Sequence, residues 1–262
     1  MTPPAENSPA STELAGQTAV ITGSSQGIGR AIALALAAAG ANVVIHGRTS
    51  RAEAEQVARL AHELGVESHV LLCDLGDAST HDPLIDAAWK WRGNVDIWVN
   101  NAGADVLTGE AAQWTFARKL DELWRVDEQA TLALSRAAGA RMKARASGVI
   151  INIGWDQADH GMAGDSGELF AATKGAIMAF TKSLARSLAP SVRVNCVAPG
   201  WIKTKWGDGA SEKWQQSALN QSLLARWGTA ADVAGAVRFL ASPAASFITG
   251  CVLPVNGGLR QT

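Results

Sequence analysis

Short apolar runs alternate with longer helical stretches from residue 18 to residue 255. Several of the runs are continuously apolar, which is typical of strands in a parallel sheet that is covered on both faces. We predict seven strands, at Thr18–Thr22, Asn42–His46, Ser68–Cys73, Asp96–Val99, Val149–Ile153, Arg193–Val197 and Cys251–Val255.

The segments between these strands predict helices. Ile28–Ala39 and Ala52–Leu64 are each followed by a glycine, which commonly ends a helix. Ser50 and Glu53 have the spacing of a capping box at the start of the second helix. Because strands and helices alternate without a repeat or an internal linker, we predict an α/β fold with a Rossmann-like, doubly wound parallel sheet in a single domain.

Two more helices are predicted in the second half of the chain. Asp232–Leu240 has the pattern of a short helix. A longer helix must end before Pro190, because the residue before a proline is disfavoured in the helical conformation. Four apolar side chains share one face of this helix: Ile177, Phe180, Leu184 and Leu188.

Composition and charge limit the partners. The chain has 262 residues, enough to bury a substantial core, and a net charge of −1 without a basic run. We therefore expect no nucleic acid and no membrane as partner. Residues 1–16 contain three prolines and lack the basic start and apolar segment of a signal peptide. They predict a disordered tail before a domain at residues 17–262.

Three cysteines, Cys73, Cys196 and Cys251, lie inside strand-like runs. An odd number without metal-ligand spacing argues against a disulfide framework and against a zinc site. We expect buried, reduced thiols, no metal ion and a cytoplasmic protein.

A glycine-rich turn follows the first predicted strand and opens the first helix. Glycines let the backbone turn tightly and approach phosphates, while the helix N-terminus offers free N–H groups and a positive dipole end. The turn therefore predicts a dinucleotide site. The candidate binding residues in it are Gly23, Ser25, Gln26, Gly27, Ile28 and Gly29.

Four further motifs stand at the ends of later strands: Asp74-Leu75, Asn100-Asn101-Ala102-Gly103, Asn195 with Pro199-Gly200-Trp201-Ile202-Lys203-Thr204, and Asn256-Gly257-Gly258. Together with the T-G-x-x-x-G-I-G turn, they resemble the motifs of short-chain dehydrogenase/reductases, in particular of 3-oxoacyl-ACP-reductase-like proteins. The resemblance runs from Thr18 to Gly258. It implies a nicotinamide cofactor that is also held by Asp74, Leu75, Asn101, Ala102, Gly103, Lys174, Pro199, Gly200, Ile202 and Thr204.

The end of the second strand bears on the choice between NAD and NADP. Enzymes that prefer NAD usually carry an acidic residue there, which bonds the ribose hydroxyls. Here Gly47 takes that place, while Arg48 offers a planar cation and Ser25 a hydrogen bond to a 2′-phosphate. At the position of Gln26, NADP enzymes often carry a basic residue. The alternative for Arg48 is a solvated side chain that binds no phosphate. We expect NADP, with NAD less favoured.

The resemblance also locates an unusual active site. The family's Tyr-x-x-x-Lys motif is matched by a segment from Phe170 to Lys174, in a chain that has no tyrosine. A phenyl ring has no proton to give. The resemblance assigns Lys174 to the nicotinamide ribose. It also places Asp127 where the family has an asparagine and Trp155 where it has a serine, and Lys174 would compensate the charge that Asp127 adds.

The segment between Trp155 and Phe170 is rich in titratable groups. Asp156 and Glu168 are the leading candidates for a replacement acid, since each lies beside or near a position that carries chemistry in the family. Burial near a tryptophan would raise a carboxyl pKa, whereas the charge of Lys174 would lower it. The alternative is that Asp156 and Glu168 are solvated charges of the loop without a catalytic role.

Four tryptophans surround the segment that closes over the substrate in the family: Trp201, Trp206, Trp214 and Trp227. Such rings could line a flat, apolar or aromatic pocket. Their use in the core or at a subunit interface is the alternative.

Two functions fit this pattern. The first is an NADP-dependent oxidoreductase for a small carbonyl, alcohol or imine substrate, with a non-standard proton donor. The second is a cofactor-binding pseudoenzyme that acts as a sensor or partner subunit. Because losing a general acid typically slows a reaction by about 10²–10⁴ without abolishing it, we favour the enzyme. The resemblance further implies a homo-oligomer, a tetramer, that pairs through the helices of Asp127 and Lys174.

Overall fold

The structure is a computed structural model and describes residues 12–204 and 212–258. Within those ranges the strands are β1 Thr18–Ile21, β2 Asn42–Gly47, β3 Ser68–Leu72, β4 Ile97–Asn100, β5 Gly148–Ile153, β6 Val192–Pro199, β7 Ile202–Lys203, β8 Gly228–Thr229 and β9 Val252–Val255. One parallel sheet has the order β3-β2-β1-β4-β5-β6-β9, and β7 pairs with β8 in a second, small sheet. The predicted doubly wound parallel sheet is therefore confirmed, as are its seven strands.

Helices cover both faces of the sheet. In the described residues they are α1 Gly27–Ala38, α2 Arg51–Glu63, α3 His81–Arg92, α4 Phe116–Leu123, α5 Ala130–Ala144, α6 Asp165–Leu188, α7 Glu212–Gln221 and α8 Ala230–Ala241. A π-helical turn, Trp124–Gln129, joins α4 to α5. None of the described helices combines the length and apolar character that a bilayer-spanning segment needs.

The alternation of side chains along each strand divides the core into two layers. In β1, Ala19 and Ile21 pack together with α1, α2 and α8. Val20 points to the other face and packs with α3, α5 and α6. Because both faces of the strands are buried, their sequences are continuously apolar rather than alternating.

The winding of the sheet changes direction at β1, which has β2 on one side and β4 on the other. In open α/β sheets, ligands bind in the crevice at the carboxyl ends of the strands at such a point. The glycine-rich turn leaves β1 there and leads into α1. The fold thus places the predicted nucleotide-binding turn at this crevice.

The predicted disordered tail extends too far along the chain. Residues 13–16 form a turn, and Leu14 is fully buried against the core layer of α1. Its backbone N–H donates to the oxygen of Ala39 at 2.9 Å. An apolar side chain among prolines and polar residues thus anchors this part of the segment, while residues 1–11 lie outside the described ranges.

The capping box predicted at α2 is wrong. The side chain of Ser50 makes no capping hydrogen bond to the described backbone of α2, because the Ser50 backbone (φ −76°, ψ 65°) is not extended. A capping box is instead found at α8. Thr229 Oγ1 accepts from the Asp232 N–H at 3.2 Å, and Asp232 Oδ2 accepts from the Thr229 N–H at 2.7 Å.

Candidate active site

A cleft of about 850 Å³ opens at the carboxyl edge of the sheet, beside the glycine-rich turn. Thirteen of the predicted cofactor residues line it: Gly23, Ser25, Gln26, Ile28, Gly29, Arg48, Asp74, Leu75, Asn101, Ala102, Gly103, Lys174 and Thr204. Gly27 opens α1 with a φ of +58° but does not line the cleft. Pro199, Gly200 and Ile202 line an adjoining cavity instead.

Close backbone approach explains two of the glycines. A Cβ on Gly23 would lie 2.8 Å from Ala102 Cα, and a Cβ on Gly29 would lie 2.2 Å from the oxygen of Gly23. Neither contact can be relieved by moving a flexible side chain. The turn therefore requires glycine at both positions, and it brings the N-terminal end of α1 to the cleft as an anion-binding element.

Thr22 and Asn101 fasten the turn to the end of β4. Thr22 Oγ1 accepts from the backbone N–H of Asn101 at 2.9 Å and of Ala102 at 3.0 Å. The Asn101 side-chain amide donates to the oxygens of Thr22 at 3.0 Å and of Gly23 at 3.1 Å. Asn101 thus shapes the cleft by fixing the path of the turn.

His46 is a positioning residue that the sequence reasoning missed. It lies at the end of β2, 2% exposed, and its Nδ1 accepts from the Gly23 N–H at 3.1 Å. Its Nε2 lies 3.2 Å from the oxygen of Cys73. Desolvation lowers the pKa of His46 to about 4, although the Cys73 carbonyl and the charge of Asp74 favour protonation. The neutral ring therefore holds the turn, with Nδ1 as acceptor and Nε2–H as donor.

Gly47 and Arg48 occupy the position that bears on cofactor choice. A Cβ on Gly47 would lie 3.5 Å from Ser25 Oγ, so this end of β2 lies directly against the turn. Arg48 is exposed and lines the cleft. Within the described ranges it makes no hydrogen bond or ion pair, which leaves its guanidinium available to a ligand.

The smaller cavity, of about 460 Å³, adjoins the cleft. Four side chains line both spaces: Ile28, Phe170, Lys174 and Thr204. The two spaces therefore have a common wall at the predicted catalytic lysine. We refer to them below as the cleft and the cavity.

Four aromatic side chains line the cavity: Trp155, Phe170, Trp201 and Trp214. The Trp155 and Phe170 rings meet edge to face with centroids 6.1 Å apart. The ring centroid of Trp201 lies 5.4 Å from that of Trp214 and 5.8 Å from that of Trp227. Trp227 packs against Trp201 but does not line the cavity. The predicted aromatic pocket thus has three of its four tryptophans in one cluster, and Trp206 lies outside the described residues.

Lys174 and Asp127 form a buried ion pair. Lys174 Nζ lies 2.8 Å from Asp127 Oδ2, and their side chains are 12% and 2% exposed. Asp127 Oδ1 accepts from the Ala104 N–H at 2.7 Å. The π-helical turn between α4 and α5 carries Asp127, so it fixes the carboxylate between the lysine and the loop after β4.

Phe170 lies one turn before Lys174 on α6, with Ser166 one turn earlier. All three side chains line the cavity, as the i, i+4, i+8 spacing of one helix face requires. Ser166 was missed by the sequence reasoning, although this spacing from Lys174 could have identified it. It adds a hydroxyl to a wall whose rings carry none.

Asp156 is the buried carboxyl of the cavity. It is 3% exposed, and its Oδ2 accepts from the Asn256 side-chain amide at 3.0 Å. Its Oδ1 has no partner with hydrogen-bond geometry among the described residues. Burial raises the pKa of this carboxyl above its usual value, against the opposing effects of Asn256, the Gln157 backbone and the charge of His160.

Two residues that the sequence grouped with the site lie elsewhere. Glu168 is exposed on α6 and lines neither space, because it sits two positions before Phe170 and thus on a different side of the helix. Asn195 is buried in β6, where its side chain bonds the Ile248 oxygen and the Cys251 N–H. Asn195 thus holds the loop before β9.

Comparisons with known proteins agree with this geometry. The family model described as enoyl-(acyl carrier protein) reductase matches residues 23–260. Tropinone reductase-like 3 of Erythroxylum coca is 37% identical over 246 residues, 93% of each chain. The 3-oxoacyl-[acyl-carrier-protein] reductase FabG of Aquifex aeolicus is 36% identical over 254 residues, which cover 94% of this chain and 98% of that one.

Solved structures are similar over nearly the whole chain. A 7α-hydroxysteroid dehydrogenase complexed with NADH and 7-oxo glycochenodeoxycholic acid has a TM-score of 0.85 and 31% identity, covering 95% of this chain and 96% of that one. A short-chain dehydrogenase of Burkholderia cenocepacia in complex with NADP has a TM-score of 0.83 and 33% identity, covering 94% and 98%. Both nicotinamide cofactors thus occur among these similar structures.

Proposed function

Because the chain belongs to the short-chain dehydrogenase/reductase family of NAD(P)-dependent oxidoreductases, we propose that it is an NADP(H)-dependent enzyme. Its reaction is hydride transfer to or from a small carbonyl, alcohol or imine substrate, with a non-standard proton donor. The observation that carries the proposal is the common wall of the two spaces, since Lys174 faces both the cleft and the aromatic cavity.

The residues around the cleft fit a dinucleotide. Gly23 and Gly29 allow the close backbone packing of the turn, which brings the N-terminal end of α1 to the cleft, where it suits the pyrophosphate. Lys174 is the candidate for the ribose next to the nicotinamide, with Pro199, Gly200 and Ile202 nearby in the cavity wall. When bound, the nicotinamide supplies or accepts the hydride.

Arg48 supports a preference for NADP(H). Its guanidinium is exposed at the cleft, and Gly47 offers no carboxylate that would repel a 2′-phosphate. Ser25 Oγ lies beside Gly47 and supplies a further donor. Planar guanidinium groups suit phosphate because they present several N–H donors in a fixed fork.

Asp156 is the proposed proton donor. Phe170 has no proton to give and Trp155 offers only an indole N–H, so the carboxyl replaces the hydroxyl groups of the usual site. Its raised pKa favours the acid form, and it lies in the wall of the cavity where substrate would bind. Glu168, which is exposed and lines neither space, has no part in the proposed step.

A cofactor titration tests the proposal. We expect NADPH to bind more tightly than NADH, and we expect Arg48→Ala to weaken NADPH binding by about tenfold or more, because a charged hydrogen bond to phosphate is lost. Arg51→Ala, at an exposed position of the adjacent helix, is the matched control and should leave both affinities unchanged. Tighter NADH binding by wild type, or an unchanged NADPH affinity in Arg48→Ala, would refute the preference.

The pseudoenzyme is the second candidate, because rings stand at both positions 155 and 170. NADPH oxidation against a panel of ketones and imines separates the two. Binding of NADPH without turnover of any substrate in the panel would favour the pseudoenzyme, whereas turnover that depends on Asp156 would favour the enzyme.

We place the protein in the cytoplasm as a homotetramer. Its three thiols are free, and burial raises the pKa of Cys196 to about 12, which keeps that thiol protonated and inert. The outer side of α6 carries small residues that permit close approach of a second helix: Ala171, Ala172, Gly175 and Ala179.

A further inference from the structure

The charges around the cavity favour a cation. Of the described residues that line it, two are charged, Asp156 and Lys174. The Lys174 ammonium is already balanced by Asp127 at 2.8 Å. The Asp156 carboxyl therefore determines the charge that the cavity presents to its ligand. Because a nearby positive charge lowers the pKa of a carboxyl, a bound cation favours the ionised form of Asp156, which makes that charge negative.

The Asp156 carboxyl also has an unused oxygen. Asn256 holds Oδ2 in place at 3.0 Å, while Oδ1 is buried without a hydrogen-bond partner among the described residues. A buried carboxylate oxygen is costly unless a donor or a cation reaches it. Because Asp156 lines the cavity, a positive charge there would stabilise the ionised carboxyl, including this oxygen.

The remaining walls suit the same ligand. Trp155, Phe170, Trp201 and Trp214 line the cavity, and an aromatic ring attracts a cation placed over its face, indole most strongly. The aromatic rings and the one buried carboxyl thus both favour an organic ammonium group as the ligand of the cavity. An anionic substrate would be repelled by the ionised carboxyl.

We propose that the cavity binds organic cations and that the substrate class is imines, which are reduced in their protonated, iminium form with Asp156 as counter-ion. This inference rests on the proposed oxidoreductase function and specifies its substrate.

The reaction balances without a tyrosine. The carboxylic acid of Asp156 passes its proton to the imine nitrogen, which leaves a carboxylate beside an iminium cation. The iminium carbon then accepts a hydride from NADPH as reductant, and the C=N π electrons become the nitrogen lone pair of the amine. Reduction of a carbonyl would instead place negative charge on oxygen, for which Trp155 and Phe170 provide no hydroxyl.

A binding experiment tests the cation site without turnover. The probes are choline and its neutral isostere 3,3-dimethylbutan-1-ol, measured by calorimetry with and without NADPH. We expect wild type to bind choline about tenfold more tightly than the neutral alcohol, because only choline can make a charge-assisted contact. Asp156→Asn should abolish this difference. Asp159→Asn, the same change at an exposed position of the same loop, should retain it.

Equal affinity for the two probes, or tighter binding of the alcohol, would overturn the inference. This comparison uses wild type alone, so it stands even if Asp156→Asn does not fold. A preference for choline that survives in folded Asp156→Asn would also overturn the role of Asp156.

A kinetic experiment separates this inference from the proposed function. NADPH oxidation is followed with the permanently cationic 1,2-dimethyl-1-pyrrolinium and with 2-methylcyclopentanone. Faster reduction of the iminium supports the inference. Reduction of the ketone alone would overturn it and leave the oxidoreductase proposal standing. Choline preference in a protein that does not bind NADPH would support the cation site and overturn the oxidoreductase.

Discussion

Trp155 and Phe170 meet edge to face in the cavity, with ring centroids 6.1 Å apart. A hydroxyl added at residue 170 alone would still meet the indole where the family has a serine. We therefore expect Phe170→Tyr to give little ketone reduction, and the double variant with Trp155→Ser to exceed the combined effect of the single changes, because both hydroxyls would hold one oxygen.

The rate of NADPH oxidation in the presence of ketones measures the gain in the double variant. A restored general acid can raise this rate by about 10²-fold or more. Phe180→Tyr is the matched control, because it adds the same hydroxyl to the same helix at a residue that does not line the cavity. It should leave ketone reduction unchanged. Ketone reduction by Phe170→Tyr alone that equals the double variant would contradict this account.

His46 makes stability depend on pH. Its folded-state pKa of about 4 lies below the unfolded value of 6.5, so the unfolded chain binds more protons between these values. The stabilisation is complete above pH 6.5 and is lost as the pH falls toward 4. Its full size is of the order of 3 kcal/mol, because each pKa step corresponds to about 1.4 kcal/mol.

Urea unfolding at pH 7, 5.5 and 4.5 tests this expectation. The free energy of unfolding of wild type should approach that of His46→Asn as the pH falls, because the unfolded chain gains a proton at His46 that the folded protein does not take up above pH 4. His62→Asn, at an exposed histidine, should run parallel to wild type. A gap between wild type and His46→Asn that does not change with pH would contradict the linkage.

Single residues show where sequence reasoning reached its limit. The sequence identified Asp156 and Glu168 as equal candidates, but only the three-dimensional path of the chain buries the first at 3% exposure and leaves the second exposed. The role of His46 depends on which ring nitrogen faces Gly23, and no residue pattern encodes that. The glycines of the turn were predictable, because backbone geometry restricts them strongly.

At the scale of elements, the π-helical turn connects α4–α5 to α6 through Asp127 and Lys174. Asp127→Asn keeps an oxygen for the Ala104 N–H but removes the charge. We expect a double-mutant cycle with Lys174→Met to give a coupling energy of about 1–3 kcal/mol, and Lys174→Met to weaken NADPH binding.

Thermal or urea unfolding of wild type, the two single variants and the double variant measures this coupling. The exposed pair Arg51 and Glu55, four residues apart on α2, provides the control cycle. Its coupling should stay within about 0.5 kcal/mol, as is usual for surface pairs on a helix. Equal couplings in the two cycles would show that burial of the Asp127 pair adds nothing.

The strands were predictable as elements because each is a short apolar run between polar segments, and all seven are confirmed. The π-helical turn was not predictable, since one extra residue in a helix changes no hydrophobic pattern that a short segment displays. The capping box at α2 failed for a similar reason. Ser50 has the right neighbour three residues on, but its backbone conformation is set by the strand and turn before it.

At the scale of the whole molecule, we expect a tetramer in sedimentation experiments at micromolar concentration. Ala172 and Ala179 are exposed on α6, and Phe239 and Phe247 are exposed elsewhere, which is apolar surface that assembly would bury. Ala172→Glu should shift the distribution toward smaller species by placing a charge between close helices. Ala52→Glu on α2 is the control, and a wild-type monomer would contradict the assembly.

The side chains that the cleft and the cavity have in common, among them Phe170 and Lys174, imply an order of arrival. A dinucleotide in the cleft would form one wall of the cavity. A substrate that bound before it would therefore lack the contacts of that wall. We expect the dinucleotide to enter first and to leave last. The enzyme would then hold its small molecule only while the larger one is in place, and empty protein would release an amine or ketone quickly.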